Sequence, residues 1–115
     1  MKNKIIYLLL IMLIVGCEPP AMYYWGNYSD TLYKYKKNLT PEMLEKHKIE
    51  LKTIVNKSDN LGLRTPPGVN AEYGYLLLLE GNTSEAIPYL EKEKTLYPES
   101  TKFIDDLIKN INEGN

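Results

Sequence analysis

The chain has 115 residues, 25% of them charged, with a formal net charge of −1 at pH 7 and a single cysteine. One cysteine excludes a scaffold of intramolecular disulfides. The lack of a basic excess argues against nucleic-acid binding. The length suits one domain with one modest hydrophobic core.

The first seventeen residues are typical of an exported protein. Two lysines within the first four residues precede an apolar run, which is too short to cross a hydrocarbon layer of about 30 Å. A resemblance to the lipobox of bacterial lipoproteins is carried by Ile14-Val15-Gly16-Cys17. In that motif the cysteine is acylated and becomes the first residue of the mature chain. The resemblance implies cleavage between Gly16 and Cys17 and a lipid anchor on Cys17.

This interpretation divides the chain into a signal peptide of residues 1–16, a lipidated tether of residues 17–22 and a domain of residues 23–115. Removing the signal takes away two basic residues and no acid, so the net charge becomes −3. Two or more acyl chains hold a protein firmly on a bilayer. Glu18 is not the aspartate that favours inner-membrane retention in enteric-type sorting, so we expect the outer membrane. The alternative is an ordinary signal peptide that ends near a cysteine.

Four aromatic residues follow the tether, at Tyr23, Tyr24, Trp25 and Tyr28. Tyrosine and tryptophan favour the headgroup region of a bilayer, so one interpretation is an anchor at the membrane surface. We favour the alternative that the rings fold back onto the domain, because a small helical core needs their large apolar areas.

Capping and stop signals divide the domain into five helices and no strand. Thr40-Pro41 gives the clearest start, with a capping hydroxyl followed by a proline in the first turn. Ser29 or Asp30 is expected to cap the first helix, and Ser100 the last. The predicted helices cover about residues 29–38, 41–57, 69–79, 83–96 and 101–111.

Apolar residues recur at helical spacing along these segments. The last helix has the clearest stripe, opposite a charged face. Its members are Phe103, Ile104, Leu107, Ile108 and Ile111. The predicted fold is all-α, with two antiparallel helix pairs and a C-terminal capping helix.

Small residues and a proline recur through the second helix pair. Gly74, Gly81, Ala86 and Pro98 are separated by seven, five and twelve residues. This spacing resembles one tetratricopeptide repeat over residues 67–100. The resemblance implies that Gly74 and Ala86 let two helices cross closely, that Gly81 makes the turn between them, and that Pro98 ends the second helix.

The match departs from that repeat at two positions. Asn70 stands where the usual residue is aromatic, and Glu93 stands where it is small. A weaker match to the same repeat pattern lies forty-two residues earlier, and it is based on the spacing of apolar residues alone. Its positions are Tyr28, Leu32, Tyr35, Leu44 and Leu51. Such arrays need a terminal cap, which the last helix would supply.

Three blocks of the chain also resemble a family of uncharacterised small lipoproteins of Gram-negative bacteria. The blocks are Tyr24-Trp25-Gly26-Asn27-Tyr28, then Leu61-Gly62-Leu63 with Pro66-Pro67-Gly68, and Gly74-Tyr75-Leu76. The resemblance implies a helical, repeat-like fold and an association with other lipoproteins, including one similar to the curli-secretion channel protein. It implies no activity.

Little in the sequence points to catalysis. The one histidine, His47, is expected to be a half-exposed helix residue, and no nucleophile motif accompanies it. The acidic residues lack the clustering of a metal site, and the glycines lie at separate junctions rather than in a phosphate-binding loop. We therefore predict no enzymatic activity, no metal and no cofactor.

Tyrosine is abundant, with ten residues in the chain. Its ring gives a large contact area at low entropy cost, which suits a binding surface. We predict a candidate partner surface at Tyr33, Tyr75 and Tyr89. The alternative is that these rings pack between helices with their hydroxyls at the edge.

These features predict an envelope lipoprotein whose domain binds another envelope protein as an accessory or assembly subunit. The expected partners are the membrane, through acylated Cys17, and an envelope protein, with other lipoproteins among the candidates. Nucleic acid is not expected. The alternative function is a module that binds cell wall or glycan through the same tyrosines.

Overall fold

The computed structural model describes residues 1–5, 7, 16 and 21–114. Within residues 21–114 the prediction of an all-α fold is confirmed, because this range contains helices and no strand. None of the helices in the described residues has the length and apolar character needed to cross a membrane. The elements are α1 (Tyr28–Lys37), α2 (Pro41–Asn60), α3 (Val69–Leu79), α4 (Thr83–Leu96), a 3-10 turn (Pro98–Ser100) and α5 (Thr101–Glu113).

The start of α2 is the one that the sequence predicts best. The Thr40 hydroxyl accepts a hydrogen bond from the backbone N–H of Met43 at 3.3 Å, as expected of a capping threonine. The helix ends at Asn60, three residues beyond the predicted end. It stops there because Gly62 adopts a φ of +65°, a left-handed conformation that glycine tolerates.

The predicted cap of α1 is wrong. Neither Ser29 nor Asp30 caps the helix, which begins at Tyr28. Instead the backbone N–H of Asn27 donates to the Glu50 carboxylate on α2, at 2.8 Å. A carboxylate from a neighbouring helix thus satisfies an N–H at the positive end of α1, where a local side chain was expected.

Adjacent helices pack in two pairs, α1 with α2 and α3 with α4, and α2 also packs on α3. The last helix, α5, packs on α4 and on the 3-10 turn that precedes it. The central element is α3, which is apolar around most of its circumference and therefore buried. Its buried residues are Val69, Asn70, Tyr73, Gly74, Leu76, Leu77 and Leu78.

The rest of the core comes mainly from α2 and α4. The contributing side chains are Leu51, Ile54, Val55, Ala86, Leu90 and Ile104. α1 has no fully buried residue and packs through half-buried side chains. The apolar stripe of α5 is buried only in part, because Phe103 is 64% exposed while Ile104 is fully buried.

The two helices of the second pair approach closely at Gly74. A Cβ atom on Gly74 would lie 2.8 Å from the Leu90 side chain and 3.3 Å from the carbonyl oxygen of Ala86. The turn between the helices uses Gly81, whose φ is +82°. Pro98 opens the 3-10 turn directly after α4, an element that the sequence analysis did not predict.

A buried carboxylate caps α3. Gly68, the residue before α3, has no side chain to cap the helix, and Glu93 of α4 takes that role. The Glu93 carboxylate accepts hydrogen bonds from the backbone N–H groups of Gly68 at 2.7 Å and Ala71 at 3.3 Å. Burial raises the pKa of Glu93, and the backbone hydrogen bonds partly offset this rise. The departure from a small residue at this position therefore has a structural reason.

The second departure, Asn70, has no such compensation. Its side chain is fully buried, and neither its amide nitrogen nor its oxygen has a hydrogen-bond partner among the described residues. Burying an unpaired amide costs roughly 1–3 kcal/mol. Asn70 therefore lowers the stability of α3, and the Glu93 cap at the same end of the helix is correspondingly important.

We expect Glu93→Ala to destabilise the domain by roughly 1–3 kcal/mol, because two backbone N–H groups lose their acceptor in a buried place. Urea unfolding measures the free-energy difference. The matched control is Glu91→Ala on the same helix, where the carboxylate is exposed and pairs with Lys94 at 3.3 Å. The control should shift stability by less than about 0.5 kcal/mol. Equal effects of the two substitutions would contradict the capping role.

Candidate functional site

An apolar groove lies between α3 and α5. Its volume is about 490 Å³, in the range of pockets that hold small ligands or a large side chain. Tyr75 of α3 and Phe103 of α5 both line it and are 41% and 64% exposed. Among the described residues, the lining consists of Gly68, Ala71, Glu72, Tyr75, Phe103 and Leu107. Exposed aromatic rings in a concave apolar surface are typical of a binding site.

Glu72 is the one charged residue in this lining, and side chains of two other helices form hydrogen bonds with its carboxylate. One carboxylate oxygen pairs with His47 Nε2 of α2 at 2.8 Å. The other accepts a hydrogen bond from the Tyr28 hydroxyl of α1 at 2.8 Å. The opposite ring nitrogen of His47, Nδ1, lies 2.7 Å from the Thr31 hydroxyl. We call Tyr28, Thr31, His47 and Glu72 the polar cluster.

The polar cluster keeps Glu72 ionised. Burial raises the pKa of Glu72, but the hydrogen bonds from His47 and Tyr28 outweigh it and hold the pKa below its usual value. Lys36 adds a smaller favourable interaction with the charged form. For Tyr28, burial and the hydrogen bond to Glu72 raise the pKa to about 12. The groove therefore carries a fixed negative charge at neutral pH.

The expectation that His47 is half-exposed is wrong, since its side chain is only 1% exposed. The Tyr28 ring packs on it in a T-shaped arrangement, with ring centroids 5.3 Å apart. The aromatic segment before α1 continues this stack, because Trp25 lies 5.4 Å from Tyr28 and Tyr23 lies 6.3 Å from Trp25. These rings thus fold onto the domain, although Trp25 remains 43% exposed.

Hydroxyl, imidazole and carboxylate stand in the order used by hydrolytic triads, so we considered catalysis at Thr31. The Thr31 hydroxyl lies 3.2 Å from the carbonyl oxygens of both Asn27 and Tyr28. Carbonyl oxygens repel an oxyanion, which needs N–H or O–H donors around it. The buried imidazole is also covered by the Tyr28 ring. This environment suits a structural hydrogen-bond network that joins three helices.

The three tyrosines of the predicted partner surface lie in different settings. Tyr75 lines the groove. Tyr33 is 63% exposed on α1, with the Lys37 ammonium 6.0 Å from its ring centroid. Tyr89 is half-buried on α4 and packs on Tyr73, with ring centroids 4.7 Å apart. Cys17, the predicted lipidation site, lies outside the described residues.

Five of the six groove residues, Glu72 and Phe103 among them, were not predicted as site residues from the sequence. At 3.6 residues per turn, the five apolar residues of α5 spread over an arc of about 140°, with Phe103 at one edge. An edge position is the available signal that a residue borders the core. Glu72 gave no local signal, because its role depends on His47 and Tyr28, which are distant in the sequence.

Neither the groove nor the polar cluster, as described, contains enough ligand side chains to form a metal site. Across the described part of the chain, no group of three or more His, Cys, Asp or Glu side chains is arranged to hold a metal ion. The polar cluster has one histidine and one carboxylate, and both are already hydrogen-bonded to each other.

We expect the stability contribution of Glu72 to depend on pH. Its folded pKa lies below the ordinary value of 4.5, so the contribution is present above pH 4.5 and is lost as pH falls through the folded pKa. Glu72→Gln should therefore lower stability by roughly 1–2 kcal/mol near neutral pH, and the difference should shrink at about pH 3. Urea unfolding of both proteins at the two pH values measures this.

The control for this comparison is Glu45→Gln, an exposed residue on α2 that lies 3.9 Å from Lys48. Its effect should be small at both pH values, because exposed ion pairs contribute little. A stability difference between the parent chain and Glu72→Gln that is constant from neutral to acidic pH would contradict the assigned role of the charge.

One protein family matches most of the domain. A family model described as a domain of unknown function (DUF4810) matches residues 22–107. The matched range includes α1 to α4 and extends into α5 as far as Leu107, so all six groove residues fall within it. No curated protein and no solved structure matches the chain. The chain therefore belongs to the DUF4810 family.

Proposed function

We propose that this protein is a membrane-anchored envelope lipoprotein that binds another envelope protein as an accessory or assembly subunit. The observation that carries this proposal is the groove between α3 and α5, with Tyr75 and Phe103 exposed on its two sides. Aromatic rings in a concave site commonly contribute most of the binding energy in protein interfaces. The binding site is accordingly the groove, with Tyr75 as its candidate partner residue from the sequence analysis.

The helix packing supports a tetratricopeptide-like arrangement. Gly74 lies against Leu90 where two helices cross closely, and Gly81 forms the turn between these helices. Each helix pair also has a carboxylate of its second helix at the N-terminus of its first, Glu50 in one pair and Glu93 in the other. In such arrays the first helices of successive pairs line a concave face, and α3 and α5 would be two of these helices.

The membrane anchor rests on the sequence. The lipobox-like residues before Cys17 support signal cleavage and acylation, and Glu18 supports sorting to the outer membrane. A tether of residues 17–22 spans at most about 18–22 Å, so the domain would work close to the bilayer surface. A partner in the same membrane fits this geometry.

A role without catalysis fits the polar cluster, which joins helices and surrounds the Thr31 hydroxyl with carbonyl oxygens. Glycan binding is the alternative function, because Tyr75 and Phe103 can also stack on sugar rings. Sugars present many hydroxyls, however, and Glu72 is the one charged side chain in the groove lining. Protein binding is therefore the better match to this mainly apolar surface.

Replacing Cys17 with Ser tests the anchor. We expect the variant to lose incorporation of a fatty-acid probe and to leave the membrane fraction on alkaline washing, because lipid chains supply the membrane affinity. Metabolic labelling and fractionation measure both effects. A Cys17→Ser protein that matures normally and stays embedded would show that the anchor lies elsewhere.

Site-specific photo-crosslinking in cells tests the binding site. A benzoyl-phenylalanine at position 75 should give a discrete adduct with one envelope protein, because this position lines the groove. The same probe at position 39 is the control, since Leu39 is 76% exposed and outside the groove lining. Adding Phe103→Ala should weaken the adduct at position 75. Equal crosslinking at both positions, or none at position 75, would contradict the proposal.

A further inference from the structure

The groove combines apolar walls with one half-buried charged residue, Glu72, and this combination restricts its ligand. Ala71, Leu107 and the two aromatic rings provide surface for an aliphatic chain. Glu72 provides the charge, with its side chain 29% exposed. A cavity of about 490 Å³ has room for one long side chain of a partner segment. The ligand chemistry is therefore a charged group on an apolar stem.

An anionic ligand does not fit the groove. Gly68 lines it at the start of α3, where a helix N-terminus can attract anions. The N–H groups of Gly68 and Ala71 already donate to the Glu93 carboxylate, which occupies this anion-binding position. The charge that remains at the groove wall is the negative charge of Glu72.

The Glu72 carboxylate retains capacity for further hydrogen bonds. Each oxygen accepts one bond within the polar cluster, from His47 on one side and Tyr28 on the other. An ionised carboxylate has about four lone-pair sites, so each oxygen can accept another donor. A planar guanidinium presents two parallel N–H groups at the spacing of a carboxylate, which a lysine ammonium does not.

The aromatic rings favour the same ligand. Guanidinium groups stack on the faces of tyrosine and phenylalanine rings more often than ammonium groups do. Tyr75 and Phe103 both line the groove together with Glu72. The two kinds of contact, a carboxylate and aromatic faces, are thus available within one cavity.

We propose that the groove binds an arginine side chain of the partner protein, with its aliphatic stem between Tyr75 and Phe103 and its guanidinium on Glu72. This inference rests on the proposed function, since it names the side chain by which the partner is recognised. The polar cluster acts as a support that holds the Glu72 carboxylate in position for the guanidinium.

Two synthetic peptides test the inference on the full chain in mild detergent. The first is acetyl-Leu-Arg-Leu-amide, and the second replaces arginine with citrulline, which has nearly the same shape and no charge. We expect saturable changes in the methyl NMR signals of Ala71 and Leu107 with the arginine peptide. Binding of the citrulline peptide should be roughly tenfold weaker or more, because the charge-assisted bonds are lost.

Variants of the chain connect this preference to the groove. Glu72→Gln should remove the preference for arginine over citrulline, whereas Glu85→Gln, an exposed residue outside the groove, should keep it. Phe103→Ala should weaken binding of the arginine peptide severalfold. Because Phe103 is exposed, this substitution should leave the domain folded. It provides the test if Glu72→Gln does not fold.

The inference is overturned if both peptides bind equally, if neither binds, or if Glu72→Gln or Phe103→Ala leaves the binding of the arginine peptide unchanged. A failure of the proposed function would give a different set of results. A specific adduct at position 75, without any preference for the arginine peptide, would support a protein partner and contradict recognition through arginine. A preference for arginine without an adduct in cells rejects the protein partner.

Discussion

The Glu72 carboxylate receives a hydrogen bond from each of two other helices, and the arrangement of the first three helices depends on this contact. α1 has no fully buried side chain, so its position relies on half-buried packing and on the Tyr28 hydroxyl. α2 contributes the His47 imidazole, which is buried and would lose its acceptor without Glu72. Leaving such a group unpaired costs roughly 1–3 kcal/mol, a large share of the stability of a small domain.

Glu72 also lines the groove, so the contacts that stabilise the fold hold a residue of the proposed binding site in place. A single charged group surrounded by apolar walls would normally shift toward its neutral form. The hydrogen bonds from His47 and Tyr28 prevent this for Glu72 and keep its pKa low. Stability and the proposed recognition are therefore coupled at Glu72, and substitutions of His47 would affect both.

Local signals in the sequence were sufficient for the helices and insufficient for the contacts between them. The bounds of α3 and α4 follow from the glycine and proline residues around them, at Gly68, Gly81 and Pro98, which act over a few positions. His47 shares the buried face of α2 with Leu51 and Ile54, so its burial could have been read from its spacing of four and seven residues. The roles of Glu72 and Glu93 could not be read in this way, because their partners come from other helices.

Carboxylates that cap a neighbouring helix explain why the predicted caps of α1 failed. Glu50 and Glu93 each occupy the N-terminus of the preceding helix in their pair. Gly68, directly before α3, has no side chain to supply an acceptor, so the acceptor comes from elsewhere in the fold. Before α1 the capping position is Asn27, whose side chain makes no capping hydrogen bond, and its backbone N–H is satisfied by Glu50.

Tyr97 links the segment that precedes α3 to the segment that precedes α5, and these two helices line the groove. Its buried hydroxyl donates to the carbonyl oxygen of Thr65 at 2.6 Å, and the guanidinium of Arg64 lies 5.6 Å from its ring centroid. Thr65 belongs to the connector that leads into α3, while Tyr97 directly precedes the 3-10 turn and α5. This buried hydrogen bond joins the segments that precede the two groove walls and limits their relative movement at that end. A side chain that entered the proposed site would therefore lose less conformational entropy in ordering these walls.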